Sequence, residues 1–486
     1  MKNRILFISL AVVLALSVGL IGCGEPTPGP EAPESIVIGL ARDFDLPLSV
    51  FECGYGGPTY RWYAAHVNED VGHAGELHLS EYDTATEEAW VPLELLVRDF
   101  DLGTFDIAAV TEGLIDDGAD FIWGGPGTAM INPQSTVCNA KGVLLFTLEG
   151  GASSMIWDGD IDGWPFSWTS LSFANWYQMP ILSNILNAEV VDPKAYVTYI
   201  QDEHGYEYLQ AFGDEFGDEN IYPAGDPPGV GHPYILDTPT ANTIIQNAAA
   251  ALNASGEGPD YDIFCAFTYP WNVAGLIGAA IANDFNPPAM IFGPGANGVG
   301  INAPGPTGFG AMMEGIMCFT MANNKTVVTQ GAPTMTMAEL YDALAAQMEA
   351  DWDNGDLPCA PGTMTSGYQN TDYWGYPCYI ASMEMFKYAV EDAGELDTTA
   401  IRDALVSYNS TNPAQTVFGN TWYEVFNDGF GGGILSWKCH TGEIGQWQSD
   451  IVETIGYDGV NSLMPNYDAT EDIIYPMTDL WTWLLP

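Results

Sequence analysis

Asp158-Gly-Asp160-Ile-Asp162-Gly163 places three carboxylates at alternate positions before a glycine, the opening of a calcium-binding loop. Such a loop needs oxygen ligands at every second residue, a sharp glycine turn and a bidentate acid at its twelfth position. Here Thr169 stands at that last position. With 64 acidic residues in the chain, such a run also arises by chance, so a solvated acidic turn is the main reading. Asp158, Asp160 and Asp162 are the sole calcium candidate, and no metal or other cofactor is expected. The glycine-rich run GGPGTAM (124–130) is not followed by Gly-Lys-Ser/Thr and is no phosphate-binding loop. The chain has neither a GxSxG elbow nor an HExxH pair, and its six histidines stand beside no nucleophile motif. A Ser-His-Asp hydrolase is therefore not indicated, and no catalytic residue is assigned.

Leu20-Ile21-Gly22-Cys23 has the form of a bacterial lipobox, in which the cysteine is acylated and becomes the new N-terminus. Lys2 and Arg4 precede an apolar run from Ile5 to Ile21, too short for a span of roughly 20 residues but of signal-peptide size. Residues 1–22 are thus expected to be a signal peptide, with Cys23 as the lipid attachment site. The alternative is an ordinary signal peptide with a chance cysteine. GEPTPGPEAPE, the remainder of a tether over 23–34, is Pro-rich and without apolar pattern. Two acyl chains on such a spacer would hold a soluble domain at a membrane by its anchor alone. The other cysteines (Cys53, Cys138, Cys265, Cys318, Cys359, Cys378 and Cys439) show no CxxC spacing, so zinc is not indicated. Export permits disulfides, and Cys359 with Cys378 flank one loop-rich insert that they could close.

The 64 acidic residues face 11 basic ones, a formal charge of −53. Phosphate binding needs clustered Lys and Arg, so nucleic acid is excluded as a partner. Adaptation to salt, weak divalent-ion binding and a merely well-solvated extracellular surface all fit this acidity. At 47% apolar residues over 486 positions, the chain can bury a large core and make two or three domains.

Short β-branched or aromatic runs alternate with helical ones. Strands are expected at SIVIGLA (35–41), ELHLSEYD (76–83), ADFIWGG (119–125), GVLLFTL (142–148), AYVTYIQD (195–202), DIFCAF (262–267) and AMIFGP (289–294). Helices are expected at 59–68, 87–100, 207–216, 240–255 and 273–284. This alternation implies parallel sheets with helices on both faces, and a loop-rich stretch near 156–170 divides it into two lobes. Ligands of such sheets lie beyond the carboxyl ends of the strands, where strand order reverses. The loops there are GGPGTAM, EGGASS (149–154) and TYPWN (268–272).

IVIGLA, SEYDTAT, FIWGGPGTAMINP, GVLLFTLEGGAS, YIQDEHGYEYLQAF, DIFCAFTYPWN, AMIFGPGA and AVEDAGELDTTAIRDAL follow one another in order over residues 35–460. In that order and spacing the chain resembles the leucine/isoleucine/valine-type (type I) periplasmic solute-binding proteins of ABC transporters, in lipoprotein form. The resemblance implies two Rossmann-like α/β lobes with parallel sheets, joined by a multi-strand hinge. It places the first lobe at 35–157 and 288–415, and the second at 158–287 with 416–486 completing it. It implies capture of a small polar organic molecule (amino acid, amide or carboxylate-like) by hinge closure, and delivery to an ABC permease. A monomer is expected, exported and lipid-anchored at the outer face of the cytoplasmic membrane or in the periplasm. The same fold also serves as a ligand-sensing receptor domain, and an exported enzyme is the remaining rival.

The resemblance further implies the site. Gly127 and Thr128 would hold a ligand carboxylate through main-chain N–H groups and a hydroxyl. Gly150, Gly151 and Ser153 would supply a second set of polar contacts, and Tyr206 and Tyr269 the aromatic walls. The acid that pairs with an amino acid's ammonium falls at Gly295, so the expected ligand is a carboxylate, amide or neutral solute. Arg42 and Asp43, just past the first strand, are an alternative charge pair.

Overall fold

The computed structural model describes residues 31–45, 52, 56–69, 76–84, 87–125, 127–148, 167–168, 178–256, 259–293, 296, 313–321, 327–328, 335–355, 375–417, 419–427, 433–437, 443–448, 451–457 and 475–477. Cys23, Gly150, Gly151, Ser153, Asp158, Asp160, Asp162, Gly295 and Cys359 lie outside them.

The first sheet is built from β1 (Ile36–Arg42), β2 (Leu93–Asp99), β3 (Phe121–Trp123), β4 (Leu145–Phe146) and β5 (Ser167–Trp168), in the order β2-β1-β3-β4-β5. All its pairings are parallel. Its apolar runs are continuous because both faces are covered: Phe121 and Trp123 belong to one buried cluster, Ile122 between them to another. Helix α1 (Gly57–Glu69) covers the first face, while α2 (Ile107–Asp116) and α3 (Thr128–Lys141) cover the second.

Helix α4 (Gln178–Glu189) leads into the second sheet. Its strands are β6 (Ala195–Ile200), β7 (Ile221–Tyr222), β8 (Val230–His232), β9 (Ile263–Phe267), β10 (Ala289–Phe292), β11 (Met317–Thr320), β12 (Glu443–Gln448) and β13 (Ile451–Tyr457). The order is β8-β6-β9-β10-β11-β12-β13, with β7 also beside β6. Pairing is parallel up to β11, and the last two strands add antiparallel. Helices α5 (Glu203–Phe216), α6 (Thr238–Leu252) and α7 (Pro270–Ala282) form its crossovers. Two mixed or parallel sheets with intervening helices are the architecture expected from the alternation.

Helices α8 (Met337–Asn354), α9 (Gly375–Ala393) and α10 (Thr398–Ser407) bring the chain back to the first sheet, α8 and α9 packing on α1. The anchor is Phe386 of α9. Its ring meets Phe121, Trp123 and Phe146 edge-on, with centroids 5.1, 5.7 and 5.3 Å away.

Three expectations change. Residues 87–100, read as a helix, are extended instead: Trp90 and Val91 pair with His78 and Leu77, Pro92 has no N–H for a helical ladder, and Leu93 to Asp99 pair residue for residue with β1 as an edge strand. The return to the first lobe, expected at 288, comes later in the chain. Strands β10 and β11 extend the second sheet because Ile291 and Phe292 pair with Met317 and Cys318, so the chain leaves that sheet only after 320. The expected strand at 76–83 shrinks to Leu77–His78 followed by a tight helical turn at Ser80–Tyr82. Among the described residues no helix is long and apolar enough to cross a membrane.

Since Phe386 fastens a late helix to three strands of an early sheet, Phe386→Ala should destabilise the fold by about 3–5 kcal/mol. Chemical unfolding should show this as a lower midpoint with an unchanged slope; an unaltered midpoint would mean that α9 docks through other contacts.

Candidate functional site

Strand order reverses between β1 and β3 in the first sheet and between β6 and β9 in the second. Both reversals open crevices at the carboxyl ends of their strands. The residues there are Arg42, Asp43, 124–125 and 127–128 on one side, and 201–206 and 268–272 on the other.

On the first side, Arg42 is wholly buried and already committed. Its Nε lies 2.6 Å from Glu52 Oε2, its Nη2 donates to the Tyr379 hydroxyl at 2.9 Å, and its Nη1 reaches the Gly124 carbonyl at 3.4 Å. The Tyr60 hydroxyl donates to the other Glu52 oxygen. Arg42 therefore ties the end of β1 to Glu52 and α9, and is not a free charge for a ligand. Asp43 is buried too, and burial, with Asp99 and Asp45 nearby, raises its pKa to about 6. One of its oxygens accepts from the Asp45 N–H at 2.7 Å; the other has no partner. The Gly125 N–H donates to Gln134 Oε1 at 2.7 Å, pinning the turn that leads to Gly127. Gly127 caps α3 at φ 94°, a left-handed backbone that a side chain would strain.

On the second side, Asp202 caps α5 by accepting from the Gly205 N–H at 3.0 Å. Gly205 is obligatory there, because a Cβ would overlap the Ile200 carbonyl oxygen. His204 is buried beneath this turn, its ring 4.8 Å from Tyr269 and nearly parallel to it. Burial lowers its pKa to about 3, so the imidazole is neutral. Tyr269 caps α7, is 5% exposed, and stacks on Trp271 at 4.6 Å. Asn272 holds this turn rigid through the Thr268 hydroxyl and the Tyr234 carbonyl, both at 3.0 Å.

The two sides meet. A Cβ on Gly127 would stand 3.3 Å from the Tyr269 ring, so the bare glycine lets that ring close on the turn. Asn132 of α3 donates to Glu203 of α5 at 2.7 Å across the same boundary. The Tyr269 hydroxyl comes near both Asp202 and Thr128, without the geometry of a hydrogen bond to either. Gly127, Thr128 and Tyr269 are thus brought together. Tyr206 is not with them: it is 37% exposed and packs on Tyr199 at 5.4 Å. His204, two residues earlier, takes the inward position. The signal for His204 was Gly205, whose lack of a side chain marks where the helix touches the strand end. The tyrosine nearest the strand end, Tyr206, falls on the outer face of that helix. Among the described residues no group of three or more His, Cys, Asp or Glu side chains is arranged for a metal.

No protein-family model matches the sequence, and no curated sequence is detectably similar to it. Solved structures do match in fold. A solute-binding protein of an ABC transporter from Rhodopseudomonas palustris BisB5, in complex with 3,4-dihydroxybenzoic acid, aligns with a TM-score of 0.59 at 12% identity, over 90% of this chain and 99% of that one. A leucine-binding protein from Thermotoga maritima aligns with a TM-score of 0.55 at 14% identity, over 87% and 99%. A substrate-binding protein from Desulfitobacterium hafniense in complex with Leu gives 0.52 at 14%, over 87% and 100%. The fold is that of the type I periplasmic solute-binding proteins.

Neutral His204 couples this site to stability. Its folded pKa lies below the ordinary value of 6.5, so its contribution is complete above pH 6.5 and is lost as pH falls toward 3, by roughly 1.4 kcal/mol per pH unit. His204→Phe, which keeps the ring stack, should therefore lose less thermal stability than the wild type between pH 6.5 and 4.5. Parallel melting curves would show the imidazole to be charged or accessible in the fold.

Proposed function

We propose that this protein captures a small organic solute between its two sheets by hinge closure and delivers it to an ABC transporter permease. The observation that carries this reading is the meeting of Gly127 and Thr128, at the strand-order reversal of one sheet, with Tyr269, at the reversal of the other. A solute at that boundary would touch both halves, so its binding free energy can favour their approach. The N-terminal end of α3 at Thr128 offers main-chain N–H groups and a favourable dipole for a carboxylate or amide oxygen. The stacked rings of Tyr269 and Trp271 offer apolar surface beside it.

The neighbours in fold support solute capture: their names describe binding of leucine and of benzoic acids. The chain itself supplies the rest of the reading. The signal-like segment, Cys23 and the tether before Ser35 favour a lipid-anchored, exported protein held at the outer face of the cytoplasmic membrane or in the periplasm. No catalytic role is assigned to any residue.

Native mass spectrometry on protein purified without denaturant should show a small-molecule adduct that dissociates in the gas phase. Tyr269→Ala should weaken binding of that molecule by roughly tenfold or more, while the protein stays folded. An adduct held equally well by Tyr269→Ala would remove Tyr269 from the site; the absence of binding to any small solute would defeat the reading.

A further inference from the structure

With 64 acidic residues against 11 basic ones, bringing the two halves of this chain together works against their mutual repulsion. Ion pairs across the boundary would offset it, yet among the described residues none does so. Every described Lys or Arg pair, from Arg42 with Glu52 to Arg402 with Asp403, joins two residues of the first half.

Two short-range contacts cross instead. Asn132, in the second turn of α3, donates from Nδ2 to Glu203 Oε1 at 2.7 Å, and Glu203 is the first residue of α5. Helix α3 covers the first sheet and α5 the second, so this hydrogen bond exists only while the halves are together. An amide N–H meeting a carboxylate makes a charge-assisted bond, about twice as strong as a neutral one. The other contact is apolar. Tyr234 and Trp271 of the second half pack against the first half's buried cluster containing Phe100, Ile107 and Met130. The Trp271 indole N–H donates to the Tyr234 carbonyl at 3.1 Å and fixes the two rings as a unit.

We infer that Asn132 and Glu203 latch the closed form and set how long a captured solute is retained, with the Tyr234–Trp271 unit bearing on the same boundary. The inference rests on the solute-capture reading and names what governs release from that site. The Asn132 amide nitrogen is taken up by Glu203, so the latch acts on whichever solute is enclosed and does not choose among solutes. A contact made only after closure adds nothing to the first encounter with an open crevice, so its strength enters the rate of escape. A neutral donor suits the place, since a carboxylate at 132 would face Glu203 as a like charge.

The test uses the full chain as purified, carrying the molecule that co-purifies. It is passed rapidly into solute-free buffer, and loss of the adduct is followed by native mass spectrometry. Asn132→Ala and Glu203→Ala should each shorten retention by roughly tenfold. The double variant should lose no more than either alone, because both changes remove one bond. Glu203→Gln keeps an acceptor and should hold the adduct longer than Glu203→Ala, whereas Asn132→Asp should release it fastest of all. All of these variants should melt as folded proteins. Calorimetry on stripped chain with leucine, benzoate and 3,4-dihydroxybenzoate supplies the second readout. Asn132→Ala should weaken each of these that the wild type binds by the same factor. Unchanged retention in Asn132→Ala, or single effects that simply add in the double variant, would overturn the latch and leave solute capture standing. Losses that differ from solute to solute would place Asn132 among the solute's own contacts and overturn it equally. No adduct and no binding by the wild type would overturn both.

Discussion

A parallel strand can follow another only through a crossover on one face, and a sheet that reverses the side of its crossovers must leave a gap at the carboxyl ends of two strands. This chain makes that reversal twice, between β1 and β3 and between β6 and β9. Everything in the candidate site descends from it. The turns that leave those four strands carry Arg42, Gly127, Asp202 and Tyr269, and none of these is near another in sequence. Helices α3, α5 and α7 begin at three of these turns, so their N-terminal ends set the field there before any side chain is chosen.

Side chains then divide into those that hold the crevice and those left with capacity for a guest. Arg42 belongs to the first kind. Its bonds to Glu52, Tyr379 and the Gly124 carbonyl spend the guanidinium on joining β1, β3 and α9, and a buried pair of this sort is costly to break because the survivor stays charged. Gln134 and Asn272 do similar work on neighbouring turns. Asp202, whose Oδ2 makes no hydrogen bond, is of the second kind, standing where the sheets approach. Gly127 matters through what it lacks, since a side chain there would press on Tyr269 and hold the two halves apart.

Much of the architecture was legible in the sequence, because strands buried on both faces read as unbroken apolar runs and their crossover helices read at the helical period. The failure at 87–100 has the opposite cause. Edge strand β2 is only partly buried, its residues carry no clear period, and pairing with β1 outweighs local preference. The late return to the first lobe was hidden because membership of a sheet is decided by which edge accepts the strand, and β10 and β11 read locally like any other strand. That Gly127, Thr128 and Tyr269 stand on the turns at the strand-order reversals was readable from the sequence. Asp202 and His204 were not, since a capping aspartate and a core histidine look ordinary until their spare atoms are seen to face a boundary. Tyr206 stands two residues beyond His204 on α5, enough to turn its side chain through roughly 200° from the one that meets Tyr269.

The central claim is that the two sheets close on a solute held between them. Small-angle scattering on the full chain, with and without the molecule that co-purifies, measures this most directly. Hinge closure predicts a smaller radius of gyration at saturating solute, with the change following the binding isotherm. Scattering curves that superimpose across a demonstrated binding transition would contradict it.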